Sequence, residues 1–530
     1  MHLSENEGIE GKSFVVTGGL GFVGSALCLE LIRRGAKQVR SFDLRNSSPW
    51  LHILKHKGVN CIQGSISFVY SFSDLILLLI NSINQSINQS GDVSRKEDVE
   101  RVLRGAECVF HLAAFGMSGK EMLQFGRVDE ININGTCHVI DACLDLGIKR
   151  LVYCSTYNVV FGGQKIINGN ETLPYIPIDT HVDPYGRSKS IAEQLVLKNN
   201  ARPLKNDAGN CLYTCALRPA AIYGPGEDRH LPRIITMARL GLILFRIGDE
   251  TVKSDWVFVD NLVLALILAS MGLLDDNNEK GKRPIAAGQA YFICDGDAFS
   301  LLMSITRISK SNYSLFFCSG SPVNSFEFLQ PLLTSLDYEL PKTSLSLQHA
   351  LVLGRICQGV YTILYPWLNQ PWLPQPFILP SEVHKVGVTH YFSYLKARQE
   401  IGYVPMVTPR EGMDSTITYW KQRKRQILDG PTIYAWLFCV IGMTSLFCAA
   451  FLPDTIWIVS LLRAICLFVF GSIWMTRLVF LLATLTHVIE GSYAWYLAKR
   501  VDPANARGWF WQTFALGFFS LRFLLKRARE

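Results

Sequence analysis

No Cys-x-x-Cys pair occurs among the fourteen cysteines of this 530-residue chain. The ligand spacing of common zinc sites and of thioredoxin-like redox motifs is therefore missing. Cys108, Cys154 and Cys215 sit instead inside apolar runs that read as strands, where a thiol behaves as a small buried hydrophobe. Reduced thiols in a reducing compartment are expected for the main body. The opening stretch, MHLSENEGIEGKS, is polar and lacks the apolar run of a secretory signal. Excess charge is also missing from most of the chain. The net charge is +8. Residues 421–530 account for all of it, with 13 Lys/Arg against 5 Asp/Glu, which leaves 39 of each sign in residues 1–420. A neutral main body argues against a nucleic-acid partner. A basic excess confined to an apolar tail fits the positive flanks of membrane helices.

What is present from Lys12 onward is alternation. SFVVTG, QVRSFDL, CVFHLAA, RLVYCST and LYTCALRP are short apolar runs, and stretches of helical periodicity such as FVGSALCLELIRRG lie between them. Apolar strands separated by helices predict an α/β fold with a parallel sheet covered on both faces. Two blocks break the rhythm. Residues 65–91 contain a doubled INQS, and deleting them would join a strand directly to the acidic turn GDVS. Residues 297–320 are likewise Ser/Asn-rich and unlike their flanks. Both read as insertions. The first interrupts the half of the sheet expected to hold a nucleotide. Residues 343–380 are apolar and rich in Pro and Trp. They predict a helix, with Arg355 interrupting any membrane span, that packs over the substrate site, dips into a membrane face or belongs to the core.

The tail begins after KQRKRQ. Four apolar stretches follow, near 433–452, 456–475, 478–498 and 509–525, each close to the roughly 20 residues that cross a bilayer core. Trp436, Trp457, Trp474, Trp495, Trp509 and Trp511 lie mostly near their ends, as interfacial aromatics do. Lys499, Arg500 and Arg507 fit poorly with four spans, because they would fall on the side opposite the basic ends. Arg463, Arg477, His487 and Glu490 need internal partners or snorkelling.

VVTGGLGFVG places Gly18, Gly21, Phe22 and Gly24 where a strand gives way to a helix. Such glycines permit a tight turn and a close approach of backbone to a pyrophosphate, which the helix N-terminus then attracts. Asp43 ends the next strand. A carboxylate there accepts from both ribose hydroxyls and repels a 2′-phosphate, which favours NAD over NADP; Arg45 nearby weighs the other way. Asp92 and Val93 are placed to reach the adenine, and Ala113 and Ala114 to let backbone lie against the cofactor.

DPYGRSKS sets Tyr185 four residues before Lys189, one turn apart on a helix beginning near Pro184. The same spacing arises on any surface helix. Next to a bound dinucleotide it becomes an acid–base device, because a nearby ammonium favours the phenolate and the phenol can then exchange a proton with a substrate hydroxyl. The lysine can also hold the nicotinamide ribose. Ser155 and Thr156, at the end of YCST, are the candidates for polarising the same oxygen. Arg218 is expected in a structural ion pair, and Tyr223 either lines the pocket or packs beneath its loop. No metal site is indicated.

TGGLGFVG, GDVS, HLAA, NINGT, LVYCST, PYGRSK, ALRPAAIYGPGE and VFVDNLVLA together resemble the extended short-chain dehydrogenases/reductases, most closely the 3β-hydroxysteroid dehydrogenase/isomerase family and its sterol-dehydrogenase relatives. The resemblance covers roughly residues 12–420, apart from the two blocks. It implies a Rossmann-type doubly wound sheet with a smaller substrate-binding region, and Tyr185 as proton donor and acceptor with Lys189 as its NAD-binding partner. It leaves Ser155 and Thr156 unseparated, because STYNVVFGG carries one residue more than the family's spacing. The expected organisation is a catalytic domain over 1–425 and a helical transmembrane domain over 426–530. The expected activity is oxidation of a 3β-hydroxyl on a lipophilic sterol or steroid by a multi-pass protein of the endoplasmic reticulum, with its catalytic domain in the cytosol. The bilayer is the second partner, and the sequence leaves a homodimer open. The alternatives are a sugar-nucleotide epimerase, a ketone reductase, or a membrane scaffold that binds NAD without turnover.

Overall fold

The computed structural model describes residues 6–45, 48–63, 92–206, 209–274, 283–296, 322–368, 370, 373–426 and 428–529. The suspected insertions, 65–91 and 297–320, lie outside the described residues. The chain forms two compact units. The first comprises Met1–Glu227, Ile247–Phe328 and Ser344–Met413; the second comprises Asp228–Arg246, Leu329–Thr343 and Asp414–Glu530.

The first unit is built on a parallel sheet. Its strands are β1 (Ser13–Thr17), β2 (Gln38–Asp43), β3 (Asn60–Gln63), β4 (Cys108–His111), β5 (Arg150–Cys154), β6 (Cys211–Pro219) and β7 (Ala290–Ile293). Their order is β7-β6-β5-β4-β1-β2-β3, and a short segment, Arg202–Pro203, adds antiparallel to β6. The order reverses between β1 and β4, where open α/β sheets bind nucleotides. The pleat sorts side chains by parity. Along β1, Phe14 and Val16 join one core cluster while Val15 joins the other; Cys108 and Phe110 of β4 separate from Val109 in the same way. Helices α1 (Phe22–Arg33) and Val259–Met271 cover the first face, and Lys96–Leu103 and Gly135–Leu146 cover the second. Nearly continuous apolar strands are what two covered faces require.

Helix α2 (Pro184–Lys198) carries the Tyr-Lys pair. Its start is locally encoded: the Asp183 carboxylate accepts the Gly186 N–H at 2.6 Å, and Pro184 occupies the first turn, where no amide donor is needed. Tyr185, Lys189 and Glu193 follow at four-residue spacing, and all three are buried. Glu193 pairs with Arg218 of β6 through Nε at 3.0 Å and Nη2 at 2.6 Å, and the Tyr175 hydroxyl donates to the same carboxylate at 2.8 Å. Arg218 is therefore the structural ion pair expected from sequence. Tyr223 packs edge-on against Trp256, Phe258 and Phe328 and is 1 % exposed, so it lies beneath its loop rather than lining a pocket. The helix expected within 343–380 is Leu347–Ile363; it buries Ala350, Gly354 and Tyr361 and exposes Val352, Ile356 and Val360.

In the second unit the tail forms α3 (Ile433–Phe451), α4 (Trp457–Phe470), α5 (Ile473–Val501), α6 (Ala506–Leu516) and α7 (Phe518–Arg527). Of the four apolar stretches, two become helices long and apolar enough to cross a membrane, α3 and α5. Glycines shorten the others. Gly471, at φ 76°, ends α4 after 14 residues, and Gly517, at φ 58°, divides the last stretch into α6 and α7. Arg463 and Arg477 find internal partners. Their Nε groups donate to the Ala449 and Ala450 carbonyls near the end of α3, at 2.9 and 3.0 Å, and Arg463 also pairs with Asp454. Trp509 departs from the interfacial expectation: it is fully buried and its indole N–H donates to Asp502 at 3.0 Å.

Replacing Arg218 by Met should cost about 3–5 kcal/mol, because Glu193 is left charged and buried without its partner. Replacing both by Met should recover much of that loss. Denaturant unfolding of the full chain, followed by a probe in the first unit, measures both.

Candidate active site

The glycine turn lies at the order reversal of the sheet. Gly18, at φ 70°, follows β1, and a Cβ there would sit 2.9 Å from the backbone nitrogen of Ala113, just beyond β4. A Cβ at Gly24 would sit 2.2 Å from the Gly18 carbonyl oxygen. Two backbones and the first turn of α1 thus meet at a distance that only hydrogen atoms allow. Gly21 caps α1 in extended conformation, with Phe22 as its first residue. The amides at the start of α1 form an anion-attracting end.

Asp43 closes β2 and is largely buried. Its carboxylate accepts the Leu20 N–H at 3.0 Å and the Arg45 N–H at 2.9 Å, so it is held against the glycine turn. Leu20 and Asp43 lie on adjoining elements at the C-terminal edge of the sheet, and a carboxylate oriented there fits a ribose diol. The glycine approach and the oriented carboxylate together satisfy what a dinucleotide requires. Ala113 belongs to this constellation. Ala114 follows it, half-buried. Asp92 is engaged in its own turn, accepting the Ser94 N–H at 2.9 Å. Val93 is a core residue packed against Gly135.

A buried polar chain behind this edge escaped the sequence reading. The Leu112 and Ala113 amides both donate to Thr17 Oγ1, at 3.2 Å each, and Thr17 Oγ1 lies 2.7 Å from His111 Nδ1. His111 Nε2 lies 2.9 Å from Thr136 Oγ1, which donates to the Asn132 carbonyl at 2.6 Å. Because Thr136 spends its proton on that carbonyl, it accepts from Nε2–H, and Nδ1 accepts from Thr17. Burial, with the Lys189 charge as a second cause, pushes the His111 imidazolium down to about 3, which keeps the ring neutral. Asn132 continues the chain: its amide donates to the Phe115 carbonyl and to Ser188 Oγ, each at 2.9 Å. The motifs HLAA and NINGT held these residues, yet only contact across the sheet reveals their pairing.

Lys189 is 1 % exposed. Its ammonium donates to the Cys154 carbonyl at 2.6 Å and lies 4.1 Å from the centre of the Tyr153 ring. The carbonyl belongs to the last residue of β5, one position before Ser155. Burial pushes the ammonium down to about 8, opposed by Cys154 and by the Glu193 carboxylate. Tyr185 lies one turn earlier on the same buried face of α2. The two hydroxyl candidates differ. Thr156 caps the short helix Tyr157–Val159 and accepts from the Asn158 amide N–H at 3.3 Å and its side-chain nitrogen at 2.7 Å. Ser155 Oγ is buried and has no hydrogen-bond partner among the described residues. A buried hydroxyl without a partner is costly unless another molecule completes it.

The family model described as "3-beta hydroxysteroid dehydrogenase/isomerase family" matches residues 15–76 and 76–311. The one described as "Transmembrane protein 254" matches residues 434–526. The human protein "Short-chain dehydrogenase/reductase family 42E member 1" is 41 % identical over 394 residues, 74 % of this chain and 84 % of that protein. The "3beta-hydroxysteroid-dehydrogenase/decarboxylase isoform 1" of Arabidopsis thaliana is 31 % identical over 419 residues, 78 % of this chain and 80 % of that protein. Among solved structures, the epimerase Mth375 of Methanothermobacter thermautotrophicus shares the fold at a TM-score of 0.52 and 19 % identity, over 79 % of this chain and 95 % of that one. An oriented acidic residue at the second strand, a glycine turn at the sheet's reversal and a sequence match across most of the first unit agree: this chain is an NAD-dependent oxidoreductase of the extended short-chain type and belongs to the 3-beta hydroxysteroid dehydrogenase/isomerase family.

Proposed function

We propose that this protein oxidises a 3β-hydroxyl on a sterol or steroid-like substrate. The observation that carries the reading is the pairing of a buried, carbonyl-anchored Lys189 with the unpartnered Ser155 hydroxyl one residue beyond that carbonyl. When bound, NAD supplies the hydride acceptor. Gly18, Gly21, Gly24 and Ala113 would hold its pyrophosphate edge, and Asp43 would take the adenosine ribose. Tyr185 takes the proton of the substrate hydroxyl. Lys189 favours the phenolate by its charge and offers its remaining protons to the nicotinamide ribose. Ser155 donates to the substrate oxygen, while Thr156 keeps the strand end in shape. The name of the Arabidopsis relative supports a 3β-hydroxysteroid as substrate class.

The proposal extends to location: a multi-pass protein of the endoplasmic reticulum membrane, with the catalytic unit in the cytosol. Two membrane-length helices and the match of the tail to a transmembrane family support it. The thirteen described cysteines are all free thiols, which suits a reducing compartment. Sterols concentrate in bilayers, so attachment brings enzyme and substrate together.

With NAD and a panel of 3β-hydroxysterols and UDP-sugars, NADH should form with the sterols; turnover of the sugars alone would sink the reading. Tyr185→Phe should lower kcat by about 10²–10⁴-fold, the usual worth of a positioned acid–base group. Ser155→Ala should lower it about 10²-fold. Thr156→Ala should mainly cost stability, about 1 kcal/mol for a lost cap.

The lysine also sets a pH signature. As pH rises through about 8 the ammonium is lost, so kcat/KM should fall. Stability should move the other way. Between about 8 and the ordinary lysine value of 10.5 the unfolded chain binds more protons than the folded one, so folding gains as pH rises. A pH–rate profile beside unfolding curves across pH 7–10 separates the two trends.

A further inference from the structure

Helix α5 carries two ionisable residues near its middle, His487 and Glu490, three positions apart and so on one face. In a helix of membrane length such residues require a partner. The other described acids of the tail have one: Asp429 lies near Lys424, Asp454 pairs with Arg463, and Asp502 with Arg527. Glu490 has neither an ion pair nor a hydrogen bond among the described residues.

His487 Nδ1 lies 2.8 Å from the Phe514 carbonyl. A carbonyl only accepts, so Nδ1 carries the hydrogen and a neutral ring presents a lone pair at Nε2. That lone pair and the free carboxylate converge on one spot. A Cβ at Gly517 would lie 2.8 Å from Glu490 Oε2 and 3.1 Å from His487 Nε2. Gly517 is also the break between α6 and α7, with φ 58° and ψ −139°. Nearby polar groups satisfy one another: Thr513 Oγ1 and Gln512 Nε2 both engage Ser520 Oγ, at 3.0 and 3.1 Å. Two acceptors, one of them anionic, therefore meet over a side-chain-free turn, with no donor supplied by the described residues. Tyr493, three positions after Glu490, and Phe518, next to Gly517, are each about half exposed, which offers an apolar tail somewhere to lie.

We propose that His487 and Glu490 form a binding site for a lipophilic ligand with a cationic, donor-bearing head, a long-chain primary amine in its simplest form. The ammonium pairs with the Glu490 carboxylate, donates to His487 Nε2 and occupies the space kept open at Gly517, while the chain lies along α5. The site rests on the membrane reading of the tail and is independent of the dehydrogenase reading.

The test uses the full chain in phosphatidylcholine nanodiscs and a photoreactive analogue of octadecylamine. Mass spectrometry should place the crosslink within residues 482–493 or 512–520. Octadecylamine should compete, and octadecanol and stearate should not. Glu490→Gln keeps the shape and removes the charge, and should reduce labelling at least tenfold. Gly517→Ala should do the same by filling the space; Glu490→Gln keeps the test valid where the alanine variant does not fold. Equal labelling of wild type and Glu490→Gln, or equal competition by octadecanol, overturns the site. Protein that does not enter nanodiscs refutes the membrane reading instead, and repeating the labelling in detergent micelles then decides the site by the same criteria.

Discussion

The burial of one ammonium constrains the whole catalytic unit. Lys189 has almost no contact with water, and its charge is compensated by a carbonyl, an aromatic face and a carboxylate one turn away. Charges are rarely left in such places without function, because desolvation works against them. Holding Lys189 there requires α2 to lie flat against the ends of β5 and β6. The Asp183 cap and Pro184 fix where that helix begins. The Glu193–Arg218 pair fixes its third turn to β6, and Asn132 reaches Ser188 from the other side. In the proposed reaction, substrate chemistry falls where this helix meets the open end of β5.

The nucleotide edge depends on a different economy. Gly18, Gly24 and Ala113 bring backbone to backbone without side chains between. Such closeness leaves amides that must be satisfied, and the Leu112 and Ala113 N–H groups find Thr17. Thr17 in turn leans on a histidine kept neutral by its surroundings. The neutral form matters, because a second cation beside Lys189 would oppose the charge that the site needs.

Much of this was legible in the sequence, and the reasons are local. Strands with two covered faces announce themselves as apolar runs, and glycine turns, helix caps and four-residue spacing are all short-range signals. The catalytic strands, α1, α2, Asp43 and the Arg218 ion pair could be read in that way. Contacts spanning the sheet could not. Nothing in HLAA or NINGT states that His111 will sit between Thr17 and Thr136. The different settings of Ser155 and Thr156 were equally hidden, because they turn on which hydroxyl the following short helix takes as its cap. In the tail, hydropathy alone suggested four equal spans. Gly471 and Gly517 decided otherwise, since one residue with positive φ ends a helix however apolar its neighbours are.

The chain of bonds from Thr17 through His111 to Thr136 also orders events in time. β1 is complete by residue 17, but its C-terminal threonine meets its partner only after residue 111 has arrived, and that partner is braced only after residue 136. On the ribosome, the first strand and its glycine loop therefore emerge long before the groups that rigidify them. A nascent chain exposes an unfinished nucleotide pocket for about a hundred residues of synthesis, several seconds at ordinary elongation rates. Chaperones that shield apolar strand edges during that interval have a defined window in which to act.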